Sequence, residues 1–269
     1  MQQDQTTARV RPLRGQILFS LFKCIVLISF PLFPVSVFAA IAHDTPSQTA
    51  LHISAGGTQT VSLTVAASAE TLLCGTYEGD TGTDNMNMTY NGASMTLATT
   101  SVYQSSGDRS DIFYKINPSS GANNLIVNGS NGMRGACQAY SGTNQSTAID
   151  VMQMSSNANA ASVTLTKTTT VANDWAFGVG FSNTGGLTAG TNATLVTVIN
   201  GAQSSDFDNS GSPTAFATAG SNSIGLTGSG GSFFNANVVF FQPAAAAPAS
   251  SPIKVPDFLG SLCWNGWCW

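Results

Sequence analysis

An all-β fold, a two-sheet antiparallel β-sandwich or jelly roll, is predicted by three observations. The first is the stretch Trp175-Ala-Phe-Gly-Val-Gly-Phe181, in which bulky residues occupy odd positions and Ala or Gly the even ones. A period of two puts the large side chains on one face of a strand and leaves the other bare, open to close approach. The second is about twelve short alternating segments, spaced by turn-forming residues, with no convincing amphipathic helix between them. The third is composition. The chain is 42% hydrophobic and only 8% charged, against about 25% charged in an ordinary soluble domain. Ser, Thr, Asn, Gly and Ala fill the difference; long stretches lack the Lys, Glu and Arg that helices favour, while β-branched residues and Gly-containing turns abound.

In chain order, residues 1–39 read as a signal peptide. Arg9, Arg11, Arg14 and Lys23 precede the apolar run Cys24–Phe38, and Val37-Phe-Ala39 offers a small-residue cleavage site. The run holds Pro31 and Pro34 and is shorter than the roughly 20 residues a spanning helix needs. Cleavage removes four of the nine basic groups and one of the thirteen acidic ones. Residues 40–52 are expected as an N-terminal arm and 53–243 as the sandwich. Its strands begin with Val61, Leu63 and Val65 against Ser62 and Thr64, then Leu72–Tyr77. Met88–Tyr90 and Ser94–Ala98 flank Asn91-Gly92, a dipeptide favoured in two-residue hairpins because both positions tolerate positive φ. Ile112, Tyr114 and Ile116 follow, closed by Asn117-Pro118, and then Leu125 with Val127, and Met133 to Ala139. The second half continues with Val163 and Leu165, the Trp175 strand, Leu195–Ile199, Ile224-Gly-Leu226 and Phe233–Phe241. Ser182–Gly190 and Ser204–Ser212 read as turn-rich gaps. No repeat of fixed period is visible, which argues against a solenoid or propeller. Residues 244–252 form an Ala/Pro/Ser linker and 253–269 a Trp- and Cys-rich tail.

Several of these segments, taken as a set, carry a resemblance. They are Met88-Thr-Tyr-Asn-Gly-Ala-Ser-Met-Thr96, Phe113-Tyr-Lys-Ile-Asn-Pro118, Gly121-Ala-Asn-Asn-Leu-Ile-Val127 and Ala139-Tyr-Ser-Gly142. The run Thr169-Thr-Val-Ala-Asn-Asp-Trp-Ala-Phe-Gly-Val179 and the closing Val238-Val-Phe-Phe-Gln-Pro243 belong with them. Over roughly residues 53–243 the chain resembles a sandwich module common in uncharacterised bacterial surface proteins and phage tail-associated proteins. The resemblance implies a jelly-roll-like sandwich displayed outside the cell or on a virion. It carries no catalytic motif, and the tail departs from it.

Candidate chemistry is sparse. The only histidines, His43 and His52, fall in the expected arm, outside any nucleophile context. Glu70, Glu78, Asp80, Asp84, Asp108 and Asp111 are the carboxylates from which a hydrolytic pair could be drawn, although Gly-, Thr- and Ser-containing turns account for most of them. Asp206-Phe-Asp208-Asn-Ser210-Gly211 begins like a calcium loop, but its twelfth position is Ala217 rather than a bidentate acid. A surface turn is the plainer expectation there, with structural calcium at Asp206 and Asp208 as the alternative. In the tail, Cys263-Trp264-Asn265-Gly266-Trp267-Cys268 sets Asn-Gly at a hairpin turn and brings Cys263 opposite Cys268, within disulfide reach. Trp264, Trp267 and Trp269 then form an aromatic knob for a partner, a membrane interface or sugar rings. Cys74 and Cys137 are expected as small buried hydrophobes, with a disulfide between them as the open alternative. Asn87, Asn128, Asn144 and Asn192 are glycosylation sequons.

The formal net charge of −4 and pI near 4.8 exclude a basic nucleic-acid footprint. The expected protein is secreted or held at the cell surface and non-enzymatic. Its work would be recognition or adhesion through sandwich loops, with glycans as the leading ligand and a surface protein as the other. A structural subunit of an envelope layer, appendage or phage tail is the alternative, and a carboxylate-dependent glycan hydrolase stands third. Membrane contact would come only through an uncleaved N-terminal segment or the Trp-rich tail, and self-association is left open.

Overall fold

Alternation of buried and exposed residues decides where each strand of this chain lies, and it does so twice over. The structure, a computed structural model, describes residues 39–53, 57–78, 86–102, 108–129, 132–158, 160–182, 184–199, 204–211, 216–229 and 233–245. All but the last residue of the expected signal peptide, most of the expected linker and the whole of the expected tail lie outside them. The first half contains β1 (Ala42–Ile53), β2 (Gly57–Val65), β3 (Thr71–Glu78), β4 (Asn87–Tyr90), β5 (Ala93–Ser94), β6 (Thr96–Val102), β7 (Arg109–Ile116), β8 (Gly121–Gly129) and β9 (Met133–Ser141). The second contains β10 (Ile149–Ala158), β11 (Ser162–Thr169), β12 (Trp175–Ser182), β13 (Thr188–Ala189), β14 (Thr194–Ile199), β15 (Ser204–Asp208), β16 (Gly220–Thr227) and β17 (Phe233–Phe241).

Among the described residues the fold is all-β, and every pairing is antiparallel. Four sheets form. The first half has an inner sheet in the order β1-β9-β3-β7-β6 and an outer sheet β2-β8-β4-β5. The second half has an inner sheet β10-β17-β12-β15-β14 and an outer sheet β11-β16-β13. Apart from the two-residue β5, each strand has a counterpart at the same place in the other half. The described body is therefore built of two jelly-roll-like halves in tandem. Three apolar clusters separate the layers. Leu63, Val65, Tyr90, Leu125 and Val127 meet Leu72, Cys74, Phe113 and Met133 inside the first sandwich. Val163, Leu165, Ile224 and Leu226 meet Phe207, Val238 and Phe240 inside the second. Leu73, Tyr77, Ile112 and Tyr140 meet Phe177, Val179, Phe181, Val239 and Phe241 between the two inner sheets.

Across that middle seam, residues touch their own counterparts. The Tyr77 and Phe181 rings stack with centroids 3.6 Å apart, and Tyr140 lies 4.8 Å from Phe241. Register makes these pairs equivalent: Thr71 is opposite Tyr140 in the first half, as Trp175 is opposite Phe241 in the second. Self-contact of equivalent positions is the mark of a two-fold axis, here an approximate one within a single chain. The axis puts β6 against β10 on one flank and β1 near β14 on the other.

β12 follows its sequence pattern closely. Phe177, Val179 and Phe181 fill the seam, and the bare positions face the second sandwich's own core. A Cβ on Gly178 would come within 2.2 Å of the Phe207 ring, and one on Gly180 within 2.3 Å of Leu226. The Asn91-Gly92 hairpin also forms, with φ of 49° and 73°. Three expectations need correction. Residues 42–53 are a paired edge strand, not an arm; Pro46 and a register shift between Asp44 and Thr49 hide its alternation. Ser204–Asp208, expected as a gap, is β15, because its two aspartates face the seam rather than water. β10 was not foreseen, since its residues do not separate into an apolar and a polar face. Cys74 and Cys137 are buried as expected, and the bond between them that the sequence leaves open is formed, the two standing directly opposite each other on β3 and β9.

The two ends of the described body meet the connection between sandwiches. Ala244 N–H donates to Gly142 O at 2.8 Å, Thr143 bridges Pro243, and Ala40 O packs against Gly142.

Candidate functional site

The ionisable groups expected to carry chemistry fall into three separate places. Asp206 and Asp208 alternate along β15 and so share the face turned to the first sandwich. Asp206 is buried against Gly75, whose missing Cβ leaves it room: a Cβ there would lie 2.8 Å from Asp206 Oδ1. Burial pushes the Asp206 carboxyl well above the usual carboxylate range, and the Ala136 and Gly75 N–H groups offset this only in part. Asp208 Oδ2 accepts from the Tyr140 hydroxyl at 2.9 Å and pairs with His43 Nε2, and its Oδ1 accepts Ser210 N–H at 2.9 Å. Tyr140 is fully buried, and burial followed by the Asp208 charge holds its phenol protonated. His43 also packs edge-on to Tyr140 and Trp175, at 5.4 and 5.8 Å. It therefore binds β1 across the seam instead of standing free in solvent. The His52 side chain is outside the described set. No group of three or more His, Cys, Asp or Glu side chains placed to hold a metal ion occurs among the described residues.

The acids of the first half do not assemble. Glu70 and Glu78 stand at opposite ends of β3. Glu70 Oε2 accepts Thr143 N–H at 2.6 Å, while Glu78 is opposite Arg109 in register. Arg109 Nε donates to Asp111 at 2.9 Å. Asp80 and Asp84 lie outside the described residues.

One carboxyl pairing among the described residues is not signalled by the sequence. Asp174, fully buried just before β12, faces Asp150 on β10. Burial and the neighbouring Asp150 push its pKa up to about 9. Asp150 is lowered despite its partial burial, because Thr170 donates from both N–H and hydroxyl and Gln242 from its amide. Splitting of two pKa values is what an acid–base pair needs, but Asp174 has no exposed surface through which a substrate could reach it. The pair joins the start of β12 to the edge strand β10. Its sequence spacing gave no signal.

With the buried groups committed to joining layers, the open surface is that of the two outer sheets. On the first, the outward positions are Thr58, Thr60, Ser62 and Thr64 of β2, Ala122, Asn124, Ile126 and Asn128 of β8, and Asn87 and Thr89 of β4. Thr58, Asn128 and Asn87 are in register and bonded in a row, Asn128 Nδ2 donating to Asn87 Oδ1 at 2.6 Å. On the second, Ser162, Thr164, Thr166 and Thr168 lie beside Thr227, Gly225, Ser223 and Ser221. The Thr166 and Ser223 hydroxyls are 2.7 Å apart. None of these outward residues is charged. Trp264, Trp267, Trp269, Cys263 and Cys268 lie outside the described residues.

No family model, curated protein or solved structure matches the chain.

Proposed function

We propose that this chain is an exported, non-enzymatic surface protein whose work is recognition, with a neutral glycan as its leading ligand. The observation that carries this reading is the pair of outer faces, whose outward-alternating positions are rich in hydroxyl groups, with amides on the first, and hold no charge. Sugar hydroxyls both donate and accept, as do Thr, Ser and Asn side chains, and a neutral ligand meets no desolvated charge there. The approximate two-fold axis gives the molecule two such faces, so a polymeric ligand could be held at two places with a gain in avidity. The Cys74–Cys137 bond supports an oxidising compartment, as does the basic and apolar N-terminal segment.

The test is binding of residues 40–269 to a broad glycan array, beside the double variant Thr60→Lys with Thr166→Lys. Saturable binding that the double variant loses is the expected result. Binding that survives it would move recognition off the outer faces, with Trp264, Trp267 and Trp269 next to be substituted. No binding by the unsubstituted chain would count against a glycan ligand.

A further inference from the structure

The inner sheets have four edge strands: β1 and β6 in the first, β10 and β14 in the second. An edge strand presents a row of backbone N–H and C=O groups that another strand can pair with, and natural sheets blunt such rows with Pro, Lys or a bulge. β1 is blunted in this way, by Pro46, by its register shift and by the His43–Asp208 contact across the seam. The other three each carry one register shift as well, that of β10 lying at Ile149/Val151, clear of Met152–Ala158, but they hold no Pro, Lys or Arg, and Asp150 is their one charged residue. They also carry every exposed large apolar residue of the described set: Leu97 at 41%, Met152 at 42%, Met154 at 51% and Val198 at 51%. Since β6 lies against β10, three of these four share one flank, where two open edges are stacked.

We propose that the β6/β10 flank is a docking surface for a second copy of this chain, joined edge to edge about a two-fold axis. A second copy is the occupant because the β10 edge is self-complementary. Antiparallel pairing of β10 with β10, centred on Gln153, sets Met152 of each copy opposite Met154 of the other. Pairing also replaces the cover that Gln153 gives its own edge, where its amide donates to Met154 O at 3.1 Å. The ten residues of β10 span about 33 Å, and two layers about 10 Å apart make a strip of roughly 650 Å² per copy. That is near the roughly 800 Å² per partner of a standard stable interface, and it predicts a dimer that separates on dilution. The proposal is independent of what the outer faces bind.

Sedimentation equilibrium of the secreted chain, over about 1–100 micromolar, tests it at the affinities such an area supports. A monomer–dimer equilibrium is expected, weakened at least about tenfold by Met154→Lys and abolished by Leu97→Lys combined with Met154→Lys. Val198→Lys, on the opposite flank, should leave it unchanged. All three sites are exposed, so thermal melts of the variants should match the unsubstituted chain. Met154→Gln provides a second, uncharged substitution that should weaken the dimer less. A chain that stays monomeric throughout would overturn the proposal. So would a dimer that Met154→Lys leaves intact, or one that Val198→Lys disrupts as strongly.

Discussion

Burial between the sheets, against the backbone of Gly75, pushes the Asp206 carboxyl well above the usual carboxylate range. In the unfolded chain the same group ionises near pH 4. The folded state therefore binds more protons than the unfolded one above that pH, and stability falls as pH rises through the folded pKa. Asp111 and Asp174, both raised mainly by burial, act in the same direction. We expect melting temperature to decline from about pH 4 to pH 8. Asp206→Asn keeps the shape without the titration. It should raise the melting temperature at pH 8 by several degrees and reduce the slope, which the other two acids would still sustain. An unchanged slope would mean that Asp206 does not stay protonated on folding. Sequence could not reveal this residue's role. Asp-x-Asp followed by Asn, Ser and Gly has the composition of a turn, and only the opposing glycine makes room for a buried acid.

At the scale of elements, β12 and its counterpart β3 show how far alternation could be read and where it stopped. The alternation of β12 announced one crowded and one bare face, and the bare face accepts Phe207 and Leu226. Gly178→Ala would drive a methyl group into the Phe207 ring, and overpacking of this kind costs about 1–3 kcal/mol. A thermal or urea melt should show that loss; a neutral effect would mean Phe207 can swing aside. β3 was legible because it is buried on both faces and reads as a continuous apolar run. The edges were harder. β1 carries a proline and a register shift, and β10 exposes two methionines where an alternating strand would place polar residues. The outer faces lay open in the Thr and Ser positions of β2 and β11, but their role as surfaces needed the layer order, which no single strand contains.

For the whole molecule, the duplication escaped detection because a sandwich constrains pattern far more than identity. Thr71 and Trp175 are equivalent, as are Cys74 and Gly178, Cys137 and Val238, and Ile112 and Asp206. Each pair meets the same register with different chemistry. The disulfide is present in one copy, while Phe207 over a glycine fills the corresponding place in the other. Because the middle cluster joins both inner sheets, we expect calorimetry to record one cooperative transition for residues 40–245. Reduction of Cys74–Cys137 should lower it as a unit, by about 2–4 kcal/mol. Two separate transitions would show that each sandwich melts alone. The meeting of Ala40, Gly142–Thr143 and Pro243–Ala244 at one pole has a mechanical consequence. Tension applied between the two flanking segments enters and leaves at the same point. Such a pull peels at the Thr143–Pro243 bridge first, while both sandwiches hang beyond it, unloaded like a bob on a doubled string.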